Sequence, residues 1–131
     1  FLREVKLTWC YSEITDTRPG KIHNALKRLA FLQNVSLHFC GTNGISDLGL
    51  QSMSQLLINL TSLKSISVQI CHNNTITDDS LKKLGESLEA LLNLESVYLA
   101  FFKCEKITEE GKQEIRERLN QLPFLKNLSI I

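Results

Sequence analysis

One leucine recurs at a fixed spacing along this chain. Leu32, Leu63, Leu94 and Leu125 are each 31 residues apart, and Leu2 opens a unit that is one residue shorter. Each leucine begins the same kind of phrase, of which LQNVSLHFC and LKSISVQIC are two examples. A period between about 20 and 50 residues is the sequence signature of a repeat architecture. The chain is therefore expected to fold as a stack of similar units.

Each unit opens with the alternating pattern of a β-strand. In the second unit Leu32, Val35 and Leu37 take positions one, four and six, and a serine separates the last two. Because successive strand residues point to opposite faces, positions four and six face the same side, which we expect to be the core. Position eight has the same parity and predicts core packing, although an aromatic row also suits a peptide-docking ledge. Its members are Trp9, Phe39, Ile70 and Phe101.

A helix start follows each of the first four strands, after a turn. The signal joins an isoleucine, a serine or threonine, and an acid. The hydroxyl side chain suits a helix cap, and the acid meets the positive end of the helix dipole. Apolar residues then step by three and four, which predicts one helix in each of four units. The signals are Ile14-Thr15-Asp16, Ile45-Ser46-Asp47, Ile76-Thr77-Asp78 and Ile107-Thr108-Glu109, and the first unit continues with Ile22, Leu26 and Leu29.

The phrase LxxLxLxxC followed by an Ile-Thr-Asp helix start resembles the leucine-rich repeat family, and most closely its cysteine-containing and ribonuclease-inhibitor-like classes. The resemblance implies an α/β fold, a right-handed solenoid with about five parallel strands on the concave side and four helices on the convex side. It implies a binding role and no catalytic activity. We expect residues 1–131 to form a single domain, a fragment or subunit of something larger. Its units start near Leu2, Leu32, Leu63, Leu94 and Leu125.

Composition limits the kinds of partner. The 131 residues are 43% hydrophobic and 22% charged, and the net charge is +1. This balance does not favour a nucleic-acid backbone or an anionic membrane as a partner. No apolar run approaches the roughly 18 residues that a membrane-spanning helix needs, and the first residues do not form a signal peptide. We therefore expect a cytoplasmic or nuclear protein whose partners include no nucleic acid, membrane or small-molecule substrate.

Cysteine recurs at one position in the first three units. Cys10, Cys40 and Cys71 each stand eight residues after the leading leucine, whereas Cys104 is displaced by two residues and Phe102 takes the fourth place. This repetition predicts a buried column of thiols, because free cysteine behaves as a small hydrophobe. Two disulfides are the alternative that four cysteines allow. Reduced thiols suit an intracellular setting.

Two histidines lie next to these cysteines and raise the question of a zinc site. His38 lies close to Cys40, and His72 follows Cys71. Strand alternation sends His38 to the open face of the sheet, whereas we expect the chain to turn Cys40 inward after the strand has ended. A buried cysteine column also lacks the exposed thiolate and the paired base that a nucleophile needs. We therefore predict no metal site, no cofactor and no enzymatic activity.

The predicted binding surface is the open, concave face of the sheet, formed by positions three, five and seven. It is nearly neutral, rich in small hydrogen-bonding groups, and has one large anchor, Tyr98. We expect a protein segment to lie across it, because tyrosine can bury its ring while its hydroxyl stays hydrogen-bonded. A sheet that is merely solvated is the alternative. The predicted contact residues are Lys6, His38, Ser67, Gln69 and Tyr98, and position seven reads Thr8, His38, Gln69, Ala100 and Ile131.

Three other functions stay open. A structural subunit of a large assembly would contact its neighbours through helices and open ends, and the uncapped apolar strands favour that function. Resemblance to leucine-rich repeats also allows the substrate-recognition part of a ubiquitin ligase, or a GTPase-activating protein. Neither an adaptor-binding segment nor a diagnostic arginine or acidic tail is visible in the sequence.

Overall fold

The computed structural model describes residues 3–10, 31–40 and 45–131, which contain five strands and three helices. In chain order these are β1 (Glu4–Cys10), β2 (Asn34–Cys40), α1 (Asp47–Leu57), β3 (Ser65–Cys71), α2 (Asp78–Glu89), β4 (Ser96–Phe102), α3 (Glu109–Leu119) and β5 (Asn127–Ile130). The helix predicted for the first unit, around Ile22, Leu26 and Leu29, lies outside the described residues. Among the helices of the described part, none is long and apolar enough to cross a bilayer.

The strands form one parallel sheet in the order in which they occur along the chain. The register opposes residues that hold the same position in neighbouring units. Position five, for example, runs through Lys6, Ser36, Ser67, Tyr98 and Ser129. The predicted α/β arrangement with five parallel strands is confirmed at this level, and each strand is matched to the next by the repeat, 30 residues on from β1 and 31 residues on from β2, β3 and β4.

One face of the sheet carries the core. Leu37, Val68 and Leu99 hold position six and are at most 1% exposed, as the alternation predicts. At position eight, Phe39, Ile70 and Phe101 are also buried, which confirms core packing for these three and excludes a docking ledge there. The side chain of Trp9 lies outside the described residues.

The helices cover this buried face with a second apolar layer. Their apolar steps are buried in the same core as the strands, and α1 packs against α2, which packs against α3. The caps lie where the sequence predicts them, at Ser46, Thr77 and Thr108, and each hydroxyl accepts a backbone N–H from the first turn. Helices α2 and α3 approach closely at Gly85, where a Cβ would lie 2.9 Å from Cγ1 of Ile115.

The acidic residue that follows a helix cap lies at the positive end of its own helix dipole. It also contacts the next unit. The two carboxylate oxygens of Asp78 accept the backbone N–H of Thr108 at 2.9 Å and its hydroxyl at 2.5 Å. Asp78 begins α2 and Thr108 caps α3, so this contact ties consecutive units together at the ends of their helices. The carboxylate thereby orients the same hydroxyl that accepts the N–H of Gly111.

A buried amide organises the loop after β3. Asn73 is completely buried, and its Oδ1 accepts the backbone N–H groups of Thr75 at 2.8 Å and of Ile76 at 3.1 Å. Its Nδ2 donates to the carbonyl of Ile45 at 3.0 Å, in the preceding unit. Buried polar groups are stable only when they are hydrogen-bonded, and this side chain satisfies backbone groups of two units. Asn73 therefore fixes both the shape of the loop and its position on its neighbour.

Cys104 takes the corresponding place in the loop after β4. It stands three residues before Ile107, as Asn73 stands before its own isoleucine, and its buried thiol donates to the carbonyl of Ile70 at 3.3 Å. The prediction that Phe102, and not Cys104, takes the fourth place of the cysteine row is confirmed. The register opposes Cys71 to Phe102, so the two extra residues carry Cys104 out of the sheet and into the loop.

Candidate functional site

The open face of the sheet brings the predicted contact residues into two adjacent rows. Lys6, Ser67 and Tyr98 share the row at position five, and His38 lies opposite Gln69 in the row at position seven. The two rows are on the same face because their positions differ by two residues along each strand. The surface predicted from alternation is therefore present as one continuous patch, which we call the open-face patch.

The open-face patch is partly accessible to solvent. Lys6 is exposed, and the side chains of His38, Ser67, Gln69 and Tyr98 are half-buried. Serines flank Tyr98 on both sides in its row, since the register opposes it to Ser67 in β3 and to Ser129 in β5. The side chains on both sides of the tyrosine ring in this row are therefore small.

One residue that was predicted to lie on the open face is not accessible to solvent. Ala100 has the parity of the open face but is completely buried. The chain continues beside it after β5, because the N–H of Ile131 donates to the carbonyl of Leu99 at 2.9 Å and the N–H of Phe101 donates to the carbonyl of Ile131 at 3.0 Å. Ile131 thus lies beside Ala100 in the sheet, and within row seven Ala100 is closed to solvent whereas Ile131 is 48% exposed.

A further row at position nine was missed by the alternation argument. Strand β2 runs through Cys40 and β3 through Cys71, so both cysteines keep the parity of the open face. The expectation that the chain turns Cys40 inward is wrong, because strand β2 includes Cys40 itself. Cys40 is half-buried on the open face beside His38, and Cys71 is 9% exposed.

His38, Cys40 and Cys71 converge at this end of the sheet. The Nε2 of His38 is 3.9 Å from the Sγ of Cys71, and one ligand atom from each of the three residues lies within 4.8 Å of the others. His72, which follows Cys71 in the sequence, does not form part of this group. His72 is exposed and has a φ of 55°, a left-handed conformation that ends the strand.

Comparison with known proteins shows the fold alone. No family model matches the chain, and no curated protein matches it. Among solved structures the chain is similar to one named Leiomodin-1 Actin-Binding Site 2 (ABS2), with a TM-score of 0.69 and 18% sequence identity. The match covers 98% of this chain and 69% of that chain. The two proteins therefore share an architecture at low sequence identity.

Proposed function

We propose that this chain is a non-catalytic leucine-rich repeat solenoid that binds a segment of a protein partner across the open-face patch. The observation that carries this proposal is the register of the sheet, which places Ser67, Gln69, Tyr98 and His38 in adjacent rows of one accessible face. The patch has hydrogen-bonding groups, little charge and one aromatic side chain. These properties suit the polar backbone and mixed side chains of a polypeptide better than a strongly charged ligand.

Tyr98 is the central anchor of the proposed interface. Its ring is half-buried between Ser67 and Ser129, so a partner can approach the ring closely from either side. Tyrosine is enriched at binding hot spots because it buries a large apolar ring while its hydroxyl keeps a hydrogen bond. His38 and Gln69 lie in the next row and supply donors and acceptors beside it.

The similar solved structure supports a protein as the class of partner. Its name states that it is an actin-binding site, so an architecture of this kind serves protein binding in that case. Actin is accordingly a first partner to test. Within the proposal the partner is a protein and not a nucleic acid, membrane or small molecule, and the setting is cytoplasmic or nuclear. Substrate recognition for a ubiquitin ligase is a narrower form of the same proposal.

The test is a comparison of two single substitutions in the full chain. After a partner has been identified by pull-down or by a direct assay with actin, its affinity is measured for Tyr98→Ala and for Lys83→Ala. Loss of a central anchor should weaken binding by roughly 1–4 kcal/mol. Lys83 lies on α2 with 58% of its side chain exposed, and its replacement should have little effect.

The alternative function gives the opposite result. A structural subunit of a large assembly would contact its neighbours through helices and open ends. In that case Lys83→Ala or other helix-face changes would weaken binding, while Tyr98→Ala would leave the affinity unchanged. Such a result would exclude the open-face patch as the interface.

A further inference from the structure

The ends of β2 and β3 bring one imidazole and two thiols together on the open face. His38 and Cys40 are two residues apart on β2, so they share a face, and the sheet register opposes Cys40 to Cys71. Backbone geometry therefore aims all three side chains in the same direction before any side-chain rotation is considered. In the part of the chain that the structure describes, this is the one group of three His, Cys, Asp or Glu residues whose ligand atoms converge.

We propose that His38, Cys40 and Cys71 form a zinc-binding site. Zinc takes cysteine sulfur at about 2.3 Å and histidine nitrogen at about 2.0–2.1 Å, which places the ligand atoms of a tetrahedral site roughly 3.5–3.8 Å apart. The observed separation of 3.9 Å between Nε2 of His38 and Sγ of Cys71 is already close to this spacing. All three ligand atoms lie within 4.8 Å of one another, so small side-chain rotations complete the site.

The chemistry of the ligand set favours zinc over the hard divalent cations. Thiolate and imidazole are the ligands of zinc, whereas magnesium and calcium require oxygen. Binding releases the two thiol protons, so Zn²⁺ with two thiolates and a neutral imidazole has no net charge. That balance suits a site in which Cys71 is nearly buried. Three protein ligands leave a fourth position in the tetrahedron, and the register opposes Cys10 of β1 to Cys40 on the side away from Cys71.

Two simpler interpretations explain less of how His38, Cys40 and Cys71 are arranged. A weak hydrogen bond between His38 and Cys71 accounts for their separation, but it does not account for the placement of Cys40 at the same point. A disulfide between Cys40 and Cys71 would leave His38 without a role, and both residues are thiols in the structure. The partial exposure of Cys40 and His38 also gives a metal ion access from solvent.

The site can be tested with metal alone, independently of any protein partner. The reduced, metal-free chain of residues 1–131 is titrated with Zn²⁺ by calorimetry and with Co²⁺ by absorption, which reports thiolate coordination and tetrahedral geometry. One equivalent should bind, and Zn²⁺ should raise the melting temperature until a chelator removes it. His38→Asn, Cys40→Ser and Cys71→Ser should each weaken binding more than about 100-fold, since even second-shell changes weaken metal binding about 10–100-fold.

Two control substitutions distinguish the loss of the zinc ligands from the loss of any thiol or any imidazole. Cys104→Ser removes a buried thiol elsewhere, and His72→Asn removes the neighbouring exposed imidazole while keeping a residue that tolerates a positive φ. Both should bind zinc with unchanged affinity. Circular dichroism identifies variants that remain folded, and the half-buried positions His38 and Cys40 decide the matter if Cys71→Ser does not fold. Absence of binding by the reduced, folded chain would overturn the proposal, as would unchanged binding in His38→Asn and Cys40→Ser.

Discussion

The carboxylate of Asp47 binds the cap residue of the following helix, Thr77. It accepts the Thr77 backbone N–H at 2.8 Å and the Thr77 hydroxyl at 2.6 Å, across 30 residues of sequence. Burial raises the pKa of Asp47, but hydrogen bonds from Ser80 and Thr77 outweigh burial and hold this pKa below its ordinary value of 3.8. The charged form is therefore favoured in the folded chain, and the contact stabilises the joint between α1 and α2.

Replacing Asp47 should weaken the contact between α1 and α2 and change how the free energy of unfolding depends on pH. Asp47→Asn keeps one acceptor but loses the charge and the second acceptor, which should cost about 1–3 kcal/mol at neutral pH. Because the pKa is lower in the folded state, the wild-type contribution is complete above about 3.8 and is lost as the pH falls through the folded value. Urea unfolding at several pH values should show a smaller loss of stability on acidification for the variant than for wild type.

Asp79→Asn provides the control for this measurement. Asp79 is exposed in the first turn of α2, where a carboxylate acts mainly on the helix dipole. Its replacement should cost less than that of Asp47. Equal losses in the two variants would mean that the dipole, and not the contact with Thr77, accounts for the effect.

Gly111 should not tolerate a methyl group, although alanine is the better helix former. A Cβ at this position would overlap the carboxylate of Asp78. Alanine gains up to about 1 kcal/mol in helix propensity, but overpacking typically costs about 1–3 kcal/mol and displaces the carboxylate from Thr108. We expect Gly111→Ala to destabilise the chain in chemical denaturation.

A double-mutant cycle identifies the cause of the loss at Gly111. In an Asp78→Ala background the overlap is gone, so Gly111→Ala should be neutral or slightly stabilising. If the two substitutions were additive, the carboxylate would not be the obstacle, and the explanation from close contact would fail.

Val68 tests the orientation of the central strand. It is 1% exposed at position six of β3, between Leu37 and Leu99 in the sheet. An unpaired buried carboxylate costs several kcal/mol, against a total stability of about 5–15 kcal/mol for a domain, so Val68→Asp should unfold the chain. Ser67→Asp puts the same charge on the open face of the same strand and should leave the chain folded. Thermal melts that do not distinguish the two variants would contradict the assigned faces.

The strands and caps were predictable because their signals are local and recur in phase. Alternation identified the buried faces, and the hydroxyl of each helix start identified the caps Thr77 and Thr108. The contacts between units were not predicted, because an acid beside a cap has a sufficient local explanation in the helix dipole. A signal for them was nonetheless present. Small residues recur with the 31-residue period at the third residue after the caps Ser46, Thr77 and Thr108, in the order Gly49, Ser80 and Gly111.

The open face was only partly predictable for a different reason. The two rows that contain Tyr98 and His38 follow directly from strand parity. The row at position nine depends on where the strand ends, and a shift of one residue moves a side chain to the opposite face. The prediction ended the strand before Cys40, which separated Cys40 from His38 and hid their convergence with Cys71. Amino-acid composition does not locate the end of a strand to within one residue.

Cys104 should be the less reactive of two thiols that differ in their surroundings. Burial raises the pKa of the Cys104 thiol, and the thiol donates to the carbonyl of Ile70, so little of it is present as the reactive thiolate. Cys40 is half-buried on the open face and serves as the internal reference. With a chelator present to remove metal, timed alkylation of the folded chain followed by mass spectrometry should modify Cys104 several-fold more slowly than Cys40. In denaturant the two rates should become equal. If Cys104 reacts as fast as Cys40 in the folded chain, its loop opens readily and the buried bond to Ile70 does not hold it in place.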